Sequence, residues 1–359
     1  MMNILIAGSG RIGSLLSQLL ANADNYHVLL IDENDKAFSH FQKSKKLQTQ
    51  KVDVGDKNQL QKVIDDFKID AVVACLPYFC NIKLAEMASE LNLHYFDLTE
   101  DIQTVEKVAE LAKGSRKAFV SRCGAAPGFI NIVANSLMKT FLQLDTVKLR
   151  AGCLPKHISN SLQYAIAWSI DGLINEYGET CHGIVEGESV DLRPLDDIEI
   201  IELDGVVYEA FNTSGGLGAL RQLYEGKVKT LNYKTMRYPG HCEKMHFLMQ
   251  DLQLNEHRDT LKEVLLRALP HTDKDVMIIY VSVSGHKNDE FMEENYVLKI
   301  EPKDLFGQKW SAIQIATATS AAAVIDIVLS QPGKYTGMVL QEDFSLDEVL
   351  TNRFGEHLC

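Results

Sequence analysis

The chain lacks a long unbroken apolar run. Nothing in its 359 residues matches the ~18 to 20 consecutive apolar residues of a membrane span. The longest candidate, Ile313 to Leu329, is interrupted by Gln314, Thr317, Thr319, Ser320 and Asp326 and reads as a buried helix. A surplus of positive charge is missing too. Lys and Arg number 36 against 49 Asp and Glu, for a net charge of −13 and a pI near 5.3. That balance argues against nucleic acid or an anionic membrane as partner. The cysteines, 7 in all, contain no C-x-x-C pair. Neither Cys75 with Cys80, nor Cys242 near His241 and His246, has metal-site spacing, so no metal is expected. Reduced thiols in a cytoplasmic protein fit better. The apolar start, Asn3 to Ala7, is too short for a secretory leader and runs into a glycine turn. No Gly-Lys-Ser/Thr follows that turn, which sets aside an ATP phosphate loop. There is no internal repeat and no low-complexity linker.

What is present is ordinary in bulk and specific in one place. Hydrophobic residues make up 46% and charged residues 24%, enough for a full core, and the length suggests two domains. The specific stretch is residues 1–32. Asn3-Ile4-Leu5-Ile6-Ala7 is long enough for a buried strand. It leads into Gly8-Ser9-Gly10-Arg11-Ile12-Gly13, then a segment with Ile12, Leu15, Leu16, Leu19 and Leu20 at helical spacing. A second apolar run, His27 to Ile31, ends on Asp32. This strand, glycine turn, helix, strand and acid form a dinucleotide frame. Gly8 permits the sharp turn, Gly10 lets a pyrophosphate approach the backbone, and Gly13 lets helix pack on strand. The helix start offers amides and the positive end of its dipole to phosphate. Asp32 is placed to accept the ribose hydroxyls and would repel a 2′-phosphate, which favours NAD. Lys36 and Arg11 nearby keep NADP open.

Short strands and helices then alternate. Residues 35–50 read as polar helix, followed by a short strand ending at Lys51-Val52-Asp53, with Asp53 read either as a neighbour of the adenine or as a strand-end cap. Helices are expected over 58–67, 81–91 and 101–113, and strands over 70–75, 94–96 and 117–122. This is a doubly wound parallel sheet, a Rossmann domain over 1–128. After residue 128 strand-like runs dominate, with helical insertions at 160–176 and 240–269. Residues 129–305 read as an inserted α+β domain on a largely antiparallel sheet. Residues 306–359, a helix and tail, are expected to return to the first domain. The fold class is α/β.

Several motifs recur together in one family. Cys75-Leu76-Pro77-Tyr78, Cys123-Gly124-Ala125-Ala126-Pro127-Gly128, Trp168-Ser169 with Asn175-Glu176-Tyr177, and Thr235-Met236-Arg237-Tyr238-Pro239-Gly240-His241 give a chain that resembles the saccharopine dehydrogenase-like group. That group includes saccharopine reductase and lysine 6-dehydrogenase, and the resemblance spans nearly the whole length. It implies a nicotinamide cofactor, a homodimer, and oxidation of a C–N bond through an imine that water then opens. The implied substrate is saccharopine or a related lysine-derived amino acid; the Arg-Tyr-Pro-Gly-His stretch leans toward free lysine, and carboxyspermidine-type dehydrogenases are a further relative. A cofactor-binding sensor or scaffold without turnover is the alternative of another class.

The candidate residues carry two readings each. Tyr78, just past the fourth strand, would orient substrate or relay a proton near the nicotinamide; otherwise it is an ordinary half-buried tyrosine. Asp97 would bind the substrate amine or act as base, or cap the next helix, as would Thr99. Cys123 is placed like a family active-site cysteine, or is a small buried hydrophobe. Gly124 would let backbone approach the cofactor, as Leu76 and Pro77 would from the fourth strand. Arg237 offers a fork matched to a carboxylate, or a structural ion pair. His241 would be the general base, or pack at a helix start. Trp168 and Tyr238 would wall the substrate pocket, or belong to the core.

Overall fold

The computed structural model describes residues 1–38 and 45–358. The chain divides into two compact units, Met1–Ala125 with Gln314–Leu358, and Ala126–Ile313.

The first unit opens with β1 (Met2–Ala7), α1 (Arg11–Asn22) and β2 (Tyr26–Asp32). Ile4, Leu5 and Ile6 are wholly buried, each contributing about 1.5–3 kcal/mol by leaving water. Helix α1 buries Leu15, Leu16, Leu19 and Leu20 on one stripe. Next come β3 (Leu47–Lys51), α2 (Lys57–Phe67), β4 (Ala71–Ala74), α3 (Tyr78–Glu90), β5 (His94–Asp97), α4 (Ile102–Ala112) and β6 (Ala118–Val120). Of the expected polar helix over 35–50, the described residues show a single 3-10 turn at Asp35–Phe38 and β3 over residues 47–51; residues 39–44 lie outside the described part. Helix α3 starts three residues earlier than expected, directly on Tyr78.

The second unit begins with α5 (Phe129–Met138) and the long β7 (Gln143–Pro155). Helix α6 (Ile170–Gly178) is shorter than the expected 160–176 helix. A turn replaces its first part: Gln163 has φ of 51° and its amide bonds Asn160 O. Strands β8 (Cys181–Val185), β9 (Glu188–Leu192), β10 (Glu199–Leu203) and β11 (Val206–Asn212) follow, then α7 (Leu220–Tyr224) and β12 (Val228–Arg237). The expected helix 240–269 is broken in two. Helix α8 (His241–His246) runs into a π turn at Phe247–Asp251, and α9 (Arg258–Ala268) restarts after Gln253 turns left-handed at φ 55°. The unit closes with β13 (Asp275–Lys287), β14 (Glu290–Ile300), β15 (Lys303–Leu305) and β16 (Gln308–Trp310). Its main sheet runs β10-β11-β12-β7-β13-β14, with β8 and β9 branching from β12. Only β12 with β7 is parallel.

Helix α10 (Ala312–Ser330), β17 (Gly337–Val339) and α11 (Leu346–Thr351) end the chain. By length and composition α10 could cross a membrane, but 89% of its most apolar window is buried in the protein. Strand β17 joins the first sheet beside β6, completing the parallel order β17-β6-β5-β4-β1-β2-β3. Asp326 of α10 accepts Tyr26 Oη at 2.7 Å and Asn352 Nδ2 at 2.9 Å, which ties the tail to β2. The order reverses between β1 and β4, and the carboxyl ends of those strands are where such sheets bind ligands.

Candidate functional site

Two groups of candidate residues form, one in each unit. In the first, the glycine turn sits at the end of β1. Gly8 takes φ of 101°, and a Cβ there would lie 2.3 Å from Cys75 O. A Cβ on Gly13 would lie 1.9 Å from Gly8 O. Both glycines are therefore needed by the fold itself. Gly10 differs. It is exposed, and a Cβ there would meet nothing within 4 Å. That open cradle lies at the start of α1, whose first internal bond is Ser14 N to Gly10 O at 3.0 Å. The amides before Ser14, including those of Arg11 and Ile12, have no carbonyl within the helix to serve. The turn fits a pyrophosphate.

Asp32 does more than face that cradle. Its Oδ2 accepts both Ser9 N and Ser9 Oγ at 2.8 Å, and its Oδ1 accepts Asn34 N at 2.9 Å. The carboxylate thus pins the turn, and Oδ1 keeps lone-pair capacity for a ribose hydroxyl. Asp53 folds back on its own loop: its Oδ1 accepts Gly55 N at 2.7 Å, and Asp56, not Asp53, caps α2. Leu76 and Pro77 follow β4, and Cys75 N bonds Ala7 O at 2.8 Å, so they stand beside the glycine turn. Tyr78 is half-buried at the start of α3, its ring edge-on to Phe79.

Asp97 is fully buried at the end of β5. Oδ1 accepts Thr99 N at 3.0 Å and Arg122 N at 3.2 Å, and Oδ2 accepts Ser121 Oγ at 2.8 Å. Burial pushes its carboxyl up against those bonds. The helix cap expected of Asp97 or Thr99 falls to Asp101, whose Oδ1 accepts Thr104 N at 2.7 Å. Asp97 instead holds the segment after β6, where Arg122 sits at φ 63° and Cys123 N bonds Asp97 O at 2.9 Å. Cys123 is 1% exposed, and burial with the Asp97 charge pushes its thiol well up, so no thiolate is present near neutrality. Gln341, from the tail, donates Nε2 to Ser121 O at 2.9 Å and to Cys123 Sγ at 3.4 Å. Gly124 is buried in the same segment.

In the second unit Arg237 ends β12 at 4% exposure. Its guanidinium carbon lies 5.1 Å from the centre of the Tyr164 ring and 5.7 Å from that of Tyr177. Nη1 donates to Met236 O at 2.9 Å, while Nε has no hydrogen-bond partner among the described residues. Glu176, on the buried face of α6, accepts Thr213 Oγ1 at 3.0 Å and Thr235 Oγ1. Burial pushes its carboxyl up; the Arg237 charge and the two hydroxyls oppose this. His241 is 1% exposed, with Nδ1 2.7 Å from Leu162 O and Nε2 3.1 Å from Tyr177 Oη. A carbonyl can only accept, so Nδ1 carries the proton and the phenol donates to Nε2. Any base role for His241 therefore passes through Tyr177. Trp168 joins this group by donating Nε1 to Tyr164 Oη at 2.9 Å. Tyr238 does not. It follows the last residue of β12 and stacks on Tyr208 of β11, donating its hydroxyl to Pro155 O at 3.0 Å.

Burial, reinforced by Arg237, lowers the His241 pKa from 6.5 to about 3. The unfolded chain takes up this proton below about 6.5 and the folded chain does not. The stability it contributes is therefore whole above that pH and is lost as pH falls toward 3, by up to about 1.4 kcal/mol per pH unit. His94, lowered to about 4 mainly by burial, acts with the same sign. Urea midpoints measured from pH 7 to 5 should fall, and His241→Gln should flatten the slope by roughly one proton. Equal slopes in the two proteins would contradict a buried neutral imidazole.

Glu176, Tyr177, Tyr164, Thr213 and Thr235 carry no role in the sequence reading. The signal available was Glu176, a carboxylate within the apolar stripe of α6.

A family model described as saccharopine dehydrogenase NADP binding domain matches residues 4–121. A second, saccharopine dehydrogenase C-terminal domain, matches residues 101–358. The mitochondrial alpha-aminoadipic semialdehyde synthase of Rattus norvegicus is 19% identical over 314 residues, covering 83% of this chain and 33% of that protein. The chain thus spans about a third of the length of that relative. Among solved structures, apo saccharopine dehydrogenase (L-Glu forming) from Saccharomyces cerevisiae aligns with a TM-score of 0.79 at 15% identity, over 98% of this chain and 96% of that one. Homospermidine synthase from Legionella pneumophila, solved in complex with NAD, aligns at 0.67 and 12% identity, over 99% and 89%. At these identities the likeness establishes the fold.

Proposed function

The chain belongs to the saccharopine dehydrogenase family, and from that premise we propose that it is an NAD(P)-dependent oxidoreductase acting on the C–N bond of saccharopine or a related lysine-derived amino acid. The observation that carries the reading is the open cradle at Gly10, with Asp32 locked beside it. The cofactor, when bound, supplies a hydride acceptor. The residues of the chain do the rest. Gly10 and the start of α1 receive the pyrophosphate, and Asp32 Oδ1 accepts a ribose hydroxyl. Leu76, Pro77, Tyr78 and Gly124 line the carboxyl ends of β4 and β6 and flank the nicotinamide end. Arg237 offers its unpartnered Nε to a substrate carboxylate. Oxidation takes a hydride from the carbon and a proton from the amine nitrogen, leaving an imine; water adds, and the carbinolamine opens to carbonyl and amine. Tyr78, and His241 through Tyr177, are the groups proposed to move those protons. Asp97 is proposed as the support that positions Cys123 and Gly124, because its oxygens are spent on Thr99, Ser121 and Arg122. A cytoplasmic setting and a homodimer are part of the same reading.

The test is absorbance at the reduced-nicotinamide band with saccharopine, lysine and a panel of amino acids, each with NAD and NADP, followed by product identification. Turnover of saccharopine supports the reading, and turnover of lysine alone redirects it to lysine 6-dehydrogenase chemistry. Cofactor binding with no turnover across the panel leaves a non-catalytic binder. A carboxylate at the ribose also sets the preference. NADH should bind at least about tenfold tighter than NADPH, and Asp32→Ser should narrow that ratio by about tenfold. Calorimetric titration of both nucleotides measures it, and an unchanged ratio removes Asp32 from the ribose.

A further inference from the structure

Strand β11 sets Glu209 directly opposite Arg237 of β12. Opposed residues of an antiparallel pair share one face, and opposite charges there ordinarily meet. Glu209 turns its oxygens elsewhere. It is buried, and each oxygen takes a backbone amide of the chain that follows β12: Oε2 accepts Gly240 N at 2.7 Å and Oε1 accepts Cys242 N at 2.6 Å. The residue between those two amides is His241. Gly240 has φ of 89°, in the left-handed region, and the right-handed helix α8 starts at the next residue. A left-handed residue followed by a right-handed one gathers nearby amides into a concavity for an anion, and only glycine takes that φ without strain. The anion that fills this concavity is a side chain of the protein's own sheet.

The consequence falls on the imidazole. Strand β12 ends at Arg237 and α8 starts at His241, so three residues join the strand to the helix. Along them the backbone is tied by His241 N to Tyr238 O at 3.3 Å. Glu209 adds two shorter bonds, one on each side of His241, and anchors them in a paired strand. The ring bonds, Nδ1 to Leu162 O at 2.7 Å and Nε2 to Tyr177 Oη at 3.1 Å, come from two other segments. A shift of the helix start by about 1 Å would take both beyond hydrogen-bond range. We propose that Glu209 is a positioning residue: by holding the amides on either side of His241, it fixes the imidazole in the tautomer and orientation that receive the Tyr177 hydroxyl. The kinetic side of this rests on the oxidoreductase reading; the tautomer does not.

Glu209→Gln keeps the shape and one acceptor, and sets an amide NH2 against one of the two backbone amides. In the 15N-labelled full chain, the His241 ring signals are the ones that His241→Gln removes. In the wild type they should report a protonated Nδ1 and a bare Nε2; in Glu209→Gln a mixture of tautomers should appear. With the best substrate of the panel, kcat should fall at least about tenfold while KM stays within about threefold, because Arg237 keeps its hold on the carboxylate. In the His241→Gln background the same change should cost less than about twofold, since a residue that acts through His241 has nothing left to act on. A cap alone would stabilise α8 and leave the ring as it was. An unchanged tautomer therefore overturns the proposal, and so do independent losses in the double variant. If no substrate turns over, the oxidoreductase reading fails and the tautomer decides this one alone. If Glu209→Gln does not fold, Glu209→Asp, which withdraws the carboxylate by one methylene, replaces it in both measurements.

Discussion

Gly10→Ala should leave the chain as stable as the wild type and lower its affinity for NADH by about a hundredfold or more; Gly13→Ala should damage the fold itself. The two positions are three residues apart in one turn, and their surroundings differ completely. Gly10 has φ of −66° and ψ of −168°, values open to any residue. A methyl group there enters empty space, so the folded protein has nothing to give up. What it loses is the approach of a pyrophosphate to the backbone at the start of α1. At Gly13 the same methyl lands 1.9 Å from Gly8 O. That atom is backbone, and Gly8 in turn is pressed against Cys75 O. Helix α1 must move off β1, at a cost of about 1–3 kcal/mol. Chemical denaturation reads the second effect and calorimetric titration the first. Should Gly10→Ala bind NADH as the wild type does, the pyrophosphate does not lie on this turn and the cofactor assignment fails with it.

The second large effect is in the other unit. Arg237→Met keeps the length of the stem and removes the charge, and should destabilise the protein by about 3–5 kcal/mol. The reason is Glu176. Its carboxyl is buried and pushed up by that burial, and the Arg237 charge and the hydroxyls of Thr213 and Thr235 oppose the push. Without the guanidinium, only the two hydroxyls are left to oppose the cost of burying it. Glu176→Gln in the Arg237→Met background should recover a good part of the loss, since an amide needs no counter-charge. The sign with pH follows. Removing Arg237 raises the folded-state pKa of Glu176 further, and the proton it then takes up relieves the strain, so the variant's deficit should shrink as pH falls toward that pKa. Urea denaturation of the four proteins at two pH values completes the cycle. Strict additivity would mean that Arg237 and Glu176 are not coupled, and the arginine would then be free for substrate alone.

The contrast between these predictions follows what could be read from residue order. The β1 turn, α1, β2 and Asp32 were legible because each constraint there is local. A glycine is required where a Cβ would strike the backbone a few residues away. An apolar run too short for a helix makes a buried strand, and the helix dipole needs no distant partner. Even there, the engagement of Asp32 with Ser9 was not visible, since a carboxylate's partners depend on where two loops end in space. The alternation of strands and helices likewise placed a doubly wound sheet in the first unit, and the change of texture after residue 128 placed a second sheet.

The tertiary structure decided what depends on convergence. Tyr164, Tyr177, Arg237 and His241 come from a loop, a helix, a strand end and another helix, and nothing in their spacing states that the Tyr177 phenol will donate to the His241 imidazole. The partners of Tyr238 followed from Tyr208 and Pro155 lying beside the end of β12, and the duty of Asp97 followed from β6 lying next to β5. Residue order by itself determined the frame that receives a dinucleotide, because steric exclusion and backbone dipoles act over a few residues. The burial that silences Cys123, neutralises His241 and isolates Arg237 was decided only by packing, because desolvation depends on every neighbour in space, whatever its distance along the chain.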